Sequence, residues 1–365
     1  MSSLDQRRER YVRLSRIAAQ LDDADFRALL AKEEGRSLLG GRTHEVQLGG
    51  CPVFVKRVLV TDVEYAHRFS TKNLYRLPIC YHYGVGSAGF GVFRELLTLL
   101  KTTRWVLGGE VSGIPLLYHY RLIPAWGGRF DAGEGEFERH ASSWGDHPSI
   151  NQFMRDRGAS SRELVLLLEQ FPETLAEWLP RHSEETSRVL TELRATLDFL
   201  RRHGVLHLDA HFRNVVTDGG HVYLTDFGLA LDRAFALDEA ERDFFARHQF
   251  YDYGVMLWSL LPVVLAAWKA LPDTETRRWR EAHGVRQGLP DHEVAWILLD
   301  HIQQLHRDGV LELDRACVES VIRYRAVILV MGRFLTDMMA SPTKDTAFPE
   351  TELVRALTDS GMALD

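Results

Sequence analysis

Two short loops, close together in the chain, limit what this sequence can fold into. The first, HLDAHFRN, runs from His207 to Asn214 and carries a carboxylate at Asp209, an imidazole at His211 and an amide at Asn214. The second, LTDFGLA, carries Asp226 one residue (Thr225) after the apolar run Val222-Tyr223-Leu224 and directly before Phe227-Gly228. Short apolar and β-branched runs bounded by polar loops read as strands. Asp226 is therefore pinned at a strand end, and Asp209 sits on a tight loop that leads into the strand-like pair Val215-Val216.

This set of groups suits phosphoryl transfer. One carboxylate orients an acceptor hydroxyl and takes its proton, while an amide oxygen and a second carboxylate hold Mg²⁺ on nucleotide phosphates. On these residues the sequence resembles the protein-kinase-like superfamily. HLDAHFRN is similar to its H-x-D-x-x-x-x-N catalytic loop, and Asp226-Phe227-Gly228 matches its DFG triplet. The resemblance implies an α+β, two-lobed protein-kinase-like fold: a small, mostly antiparallel β N-lobe with one main helix, and a larger helical C-lobe. It implies ATP and Mg²⁺ as cofactors, Asp209 as the base, Asn214 and Asp226 as metal ligands, and His211 as support for the transferring group. His207 is expected to be structural, bridging backbone groups near the DFG turn.

The stretch LLGGRTHEVQLGGCPVFVKRVLV reads as a bend at Gly40-Gly41, a strand, a Gly49-Gly50 hairpin turn and a second strand ending in Lys56. Glycines before a strand let backbone N–H groups approach phosphate, and a following lysine supplies charge. By the resemblance, Gly40 and Gly41 stand for the glycine-rich loop, although G-x-G-x-x-G is absent, and Lys56 for the strand lysine. A glutamate from the next helix should pair with that lysine. Glu95, on the first turn of FRELLTLLKTTRWVL, is the choice, and Glu64 in TDVEYAHRF is its rival. RELVLLLEQFPETLAEWL is similar to the hinge between kinase lobes, with Leu168 as gatekeeper and the Glu169–Phe171 backbone reading adenine.

The expected organisation is an N-terminal helical extension over 1–36, an N-lobe over 37–168 and a helical C-lobe over 169–365. The N-lobe carries two insertions, at about 58–93 and 124–161. The first, with its Gly84–Gly91 segment, is either a lid or substrate loop or an insertion without chemistry. The second reads as a long loop with one short helix, in which His140, Asp146 and His147 are solvated. Ser187 to His203 is an amphipathic helix, Asp252 caps a helix or braces the Asp209 loop, and the chain from 266 on is helical. The basic cluster Arg7, Arg8, Arg10, Arg13 and Arg16 reads as the solvated side of a helix whose Leu14, Ile17, Ala18 and Leu21 pack inward.

A chain of 365 residues with 45% hydrophobic content has ample core for one large two-lobed domain. Its formal charge of −7 gives no global attraction to nucleic acid or an acidic membrane. Cys51, Cys80 and Cys317 lie far apart, as scattered thiols of a reducing compartment do. No secretory h-region opens the sequence, and the apolar run Val255 to Trp268 is too short to span a bilayer. The expectation is a cytoplasmic protein. Its acceptor is a hydroxyl-bearing protein, peptide or small molecule. The hinge phrase and DFG-Leu-Ala favour a Ser/Thr protein kinase, while His211 and a short segment after Gly228 without A-P-E resemble aminoglycoside-type phosphotransferases. A degenerate, purely nucleotide-binding module would lack one of Lys56, Asp209, Asn214 and Asp226, all of which are present.

Overall fold

The computed structural model describes residues 3–31, 36–38, 41–125 and 136–364. Helices α1 (Ser3–Gln20) and α2 (Asp23–Leu30) open the chain, with Asp22 capping α2 through Asp25 N–H. They are not a free extension. Leu14, Ala18, Phe26 and Leu30 enter the main core, and Ser15 donates to the Tyr118 carbonyl.

Strands β1 (Arg36–Leu38), β2 (Gly41–Leu48), β3 (Cys51–Val60), β4 (Leu117–Pro124) and β5 (Arg162–Glu169) form one antiparallel sheet in the order β1-β2-β3-β5-β4. Gly49 and Gly50, at φ 56° and 76°, make the β2–β3 turn in the left-handed region that such tight hairpins require. Strand β3 does not end at Lys56 but runs on to Val60, because Arg57 to Val60 continue the pairing with β5. The apolar run of β5, Leu164 to Leu168, is buried throughout, as expected of a central strand with no solvent face.

Between β3 and β4 lie α3 (Asp62–Ala66) and the long α4 (Val92–Gly108). Between β4 and β5 lie α5 (Glu136–Ser143) and α6 (Pro148–Gly158), so among its described residues the second insertion is mainly helical where the sequence reads as a long loop with one short helix. Composition misleads there because the apolar residues of these short helices are answered by the other insertion. Trp144, Ile150, Phe153 and Met154 meet Leu77, Tyr81 and Phe90 in a cluster of their own. His140 is accordingly buried, with its Nε2 2.8 Å from the Tyr81 hydroxyl, and not solvated as its sequence setting suggests.

The rest is mostly helical. Strand β6 (Glu173–Thr174) and α7 (Leu175–Trp178) follow β5, and α8 (Thr186–Arg202) buries Val189, Leu190, Leu193, Leu197 and Leu200 as its periodicity requires. Short strands β7 (Val205–Leu206), β8 (Val215–Thr217), β9 (Val222–Leu224) and β10 (Leu231–Asp232) frame the two motif loops; β7 pairs with β10, and β8 lies between β6 and β9. After α9 (Glu239–Arg247) come α10 (Tyr251–Trp258) and α11 (Leu260–Lys269). This stretch is apolar and long enough to cross a membrane by composition, yet 72% of its most apolar window is buried, as in a core helix. Helices α12 (Asp273–Ala282), α13 (Asp291–Arg307), α14 (Arg315–Arg323), α15 (Arg325–Ala340) and α16 (Glu350–Asp359) complete the chain. The result is α+β, with an antiparallel sheet in the N-terminal part and a mostly helical remainder.

Candidate active site

The lobes meet at a cleft of about 230 Å³ lined by Gly41, Lys56, Glu95, Asp209, Asp226 and Gly228, among others. Strand β3 carries Lys56, the first turn of α4 carries Glu95, and the turns after β7 and β9 carry Asp209 and Asp226. Lys56 Nζ lies 2.7 Å from Glu95 Oε1 and 2.8 Å from Asp226 Oδ1. Glu64 takes no part in this. Its carboxylate accepts from Thr61 N–H (2.9 Å) in a capping box and from Val92 N–H (3.0 Å) at the start of α4, which makes it a structural cap.

The His207–Asn214 loop is held from beneath. Leu208 has φ 64°, a strained value for a leucine. Asp252 fixes it by accepting from His207 N–H and Leu208 N–H, both at 2.7 Å. His207 donates from Nε2 to the Thr225 carbonyl at 2.9 Å, stands edge-on to Phe227, and ties the two motif loops together. Burial pushes its pKa down to about 4, so the ring is neutral. Asp252→Ala leaves two buried N–H groups unpaired and should cost about 2–4 kcal/mol of stability. Thermal unfolding at pH 7 checks this, and an unchanged melting temperature would refute the bracing role.

Burial and the negative charge of Asp226 push Asp209 up to about 7. Burial also works against the charge on Asp226, but the adjacent Lys56 ammonium and its hydrogen bond hold that carboxyl below the usual range. Glu95 is raised by burial, with Lys56 opposing. The cleft thus holds acids that repel one another across it, which a divalent cation would relieve. Asn214 donates from Nδ2 to Asp209 Oδ2 (2.7 Å) and to the Asp209 carbonyl (3.0 Å), so its amide oxygen makes neither of these bonds. Among the described residues no group of three or more His, Cys, Asp or Glu side chains could hold a metal. Mg²⁺ held by Asn214 and Asp226 would therefore need phosphate oxygens to complete its shell.

Other sequence-assigned residues fall differently. Gly40 lies outside the described residues. Gly41 begins β2 against Val58, where a Cβ would sit 2.5 Å from the Arg57 carbonyl oxygen. His211 Nε2 is 3.4 Å from Asp209 Oδ1, and burial and Arg213 lower its pKa. The imidazole beside Asp209 thus favours its neutral form. Leu168, Glu169 and Phe171 do not line the cleft beside Lys56. Glu169 N–H is used by the Leu116 carbonyl, and the Phe171 carbonyl accepts from Gln170.

The Glu169 side chain turns away and is gripped by Arg7, which is 8% exposed. Arg7 Nη2 is 2.7 Å from Glu169 Oε2, and its guanidinium also donates to the Ser112 and Ile114 carbonyls. One member of the basic cluster is therefore a buried clamp behind the hinge and not part of a solvated face.

The Gly84–Gly91 segment, left open between a substrate loop and an insertion without chemistry, forms part of a wall of the cleft, and Arg157 joins it with no signal in the sequence. The first insertion brings Ser87, Ala88, Gly89 and Gly91 to it, and α6 brings Arg157. A Cβ on Gly84 would overlap Asp209 Oδ1, and one on Gly89 would lie 2.5 Å from the Gly228 carbonyl oxygen. The glycine content of this stretch is the one signal in the sequence that backbone approaches something closely here. The wall is anchored to the C-lobe, since Tyr83 donates to His248 Nε2 at 2.7 Å and Arg94 pairs with the buried Glu241 at 2.6 Å.

No family model matches the chain. A curated relative, the serine/threonine-protein kinase csk1 of Schizosaccharomyces pombe, is 28% identical over 101 residues, 26% of this chain and 32% of its own length. The chain thus spans about a third of that relative's length. The solved structure of WaaP in complex with acyl carrier protein aligns with 80% of this chain and 94% of its own, at 14% identity and a TM-score of 0.35. The likeness in sequence is to a protein kinase.

Proposed function

We propose that this protein transfers the γ-phosphoryl group of ATP, with Mg²⁺, to the hydroxyl of a small molecule. The observation that carries the phosphotransfer reading is Lys56 Nζ held between Glu95 (2.7 Å) and Asp226 (2.8 Å), in the cleft that Asp209 also lines. Lys56 is a fixed cation for nucleotide phosphates, and Glu95 keeps it on station. Asn214 and Asp226 offer the oxygens for the metal, which when bound neutralises phosphate charge. Asp209 orients the acceptor hydroxyl and takes its proton as the acceptor oxygen bonds to the γ-phosphorus and the bond from that phosphorus to the bridging oxygen breaks, releasing ADP. Positioning and charge compensation supply most of the rate.

The nature of the acceptor is inferred from the wall beside Asp209. A polypeptide acceptor needs an open groove leading to that carboxylate. Here the backbone of Gly84 lies against it, and Gly89 lies against Gly228. A compact hydroxyl compound fits such a space better than an extended chain.

Purified protein incubated with Mg²⁺ and γ-labelled ATP, with lysate separated into macromolecules and metabolites, tests both parts. Label in the metabolite fraction, lost in Asp226→Ala, is expected. Label on protein, lost in the same variant, would restore the Ser/Thr protein kinase reading. ATP binding without transfer to any fraction would leave only a nucleotide-binding module.

A further inference from the structure

We propose that Glu241 is a positioning residue for the cleft: by holding Arg94 from the C-lobe it sets the first turn of α4, and with it the Glu95 that places Lys56. The part this plays in catalysis rests on the phosphotransfer reading, whereas the placement of Lys56 does not.

Arg94 and Glu95 are neighbours on the first turn of α4. Glu95 reaches Lys56 at 2.7 Å, while Arg94 leaves the N-lobe and meets Glu241 Oε1 of α9 at 2.6 Å. A cation in a first helical turn opposes the helix dipole, so local preference does not place an arginine there. The pair is also deeply buried, with side chains 2% and 1% exposed. Apolar side chains of similar size would cost less to bury. What the ion pair adds is direction, because a guanidinium meets a carboxylate in few geometries and an apolar contact forms in many.

Both ends of this contact are fixed. Arg94 Nε donates to the Thr71 carbonyl at 2.8 Å, and its guanidinium lies 5.3 Å from the Phe90 ring and 5.5 Å from the Phe235 ring. Glu241 is the third residue of α9, where its Oε2 accepts from Asp238 N–H at 3.2 Å in a capping box and leaves Oε1 for Arg94. His82, fully buried and stacked on Phe90, brings Nε2 to 3.5 Å from the same Oε1. One carboxylate thus gathers α4, the first insertion and α9. Burial works against its charge, but His82 and Arg94 hold its pKa down to about 2. Helix α4 packs on the Phe227–Leu229 turn, and a Cβ on Gly228 would lie 3.8 Å from Glu95 Oε2 and 3.9 Å from Lys56 Nζ. A small rotation of that first turn would part Glu95 from Lys56. Farther along α4, Lys101 meets Asp232 at 2.6 Å, which holds the middle of the helix and not the turn that carries Glu95.

The test follows acylation of Lys56 by acetic anhydride, read by mass spectrometry, beside phosphoryl transfer, in wild type, Glu241→Gln, Arg94→Met and the double variant. Gln keeps the α9 capping box, and Met keeps an unbranched stem against the aromatic rings. Burial works against the charge on Lys56, but Asp226 and Glu95 hold its pKa above the usual range, which keeps the amine protonated and slow to react. With Glu95 displaced, acylation in each single variant should be about tenfold faster and kcat about ten- to a hundredfold lower, with the KM for ATP within a few-fold of wild type. The double variant should match the singles, since both residues act through one contact. Leu298→Ala, a cavity in the core beneath α13 and away from the cleft, should unfold at a lower temperature yet keep Lys56 protected. Lys56 as slow in both single variants as in wild type, effects that multiply in the double variant, or equal reactivity in Leu298→Ala would each overturn the proposal. Should Glu241→Gln not fold, Arg94→Met against wild type and Leu298→Ala decides. Faster acylation in the variants of a protein that transfers phosphate to nothing would uphold the positioning and count against the kinase reading alone.

Discussion

Asp209→Asn should bind ATP within a few-fold of wild type and turn over about 10²–10⁴ more slowly. The amide cannot take the acceptor proton, while Lys56, Glu95 and Asp226 keep their arrangement. In wild type, the base must be ionised, and burial beside Asp226 places its pKa at about 7. The kcat/KM of the wild type should therefore rise about tenfold per pH unit below that value and level off above it. A flat profile between acid and mildly alkaline pH would remove Asp209 from proton transfer.

The same shift has a stability consequence of fixed sign. A carboxyl raised from 3.8 to about 7 is protonated more readily folded than unfolded. Its ionisation costs nothing below the lower value, costs progressively more up to about pH 7, and is constant beyond. Asp209→Asn should thus be more stable than wild type at pH 8, by about 2–4 kcal/mol at most, with the difference gone near pH 4. An active-site residue that destabilises its own fold is the usual signature of function taking precedence over packing.

Arg7→Ala is the second large effect. It strands the Glu169 carboxylate, 5% exposed, behind the hinge and frees the Ser112 and Ile114 carbonyls from their donor. Breaking a buried pair from one side costs about 3–5 kcal/mol, whereas replacing both partners with apolar groups of similar size is close to neutral. Chemical denaturation should show that loss in Arg7→Ala and a substantial recovery in Arg7→Met/Glu169→Leu. If the double variant is as unstable as the single one, the loss comes from the carbonyls and the packing of α1, not from the stranded charge.

Legibility in the sequence followed the distance over which each feature acts. The His207–Asn214 and Asp226–Gly228 loops were readable because their chemistry and geometry lie within a few residues of one another. The amphipathic α8 and the Gly49-Gly50 turn were readable for the same reason. The pairing partner of Lys56 stayed open between Glu64 and Glu95, since both lie on helix starts after β3. Only the packing of α4 against the cleft separates a cap from an ion-pair partner. The second insertion read as loop because its helices bury their apolar faces against another insertion, which no local periodicity records.

The sequence alone determined the two-lobed α+β class and the acids, amide and lysine with which the chemistry is proposed to be done. The class was implied by a resemblance carried on two short motif loops, and those loops are legible because a linear string carries short-range spacing in full. The tertiary structure alone decided which charges meet. Arg7 meets Glu169 across 162 positions of chain, Gly84 comes to rest on Asp209, and Arg157 comes within 3.6 Å of Glu64. Burial and electrostatic partnership are properties of where segments converge, and side chains of one residue type look alike until the fold gives them different surroundings.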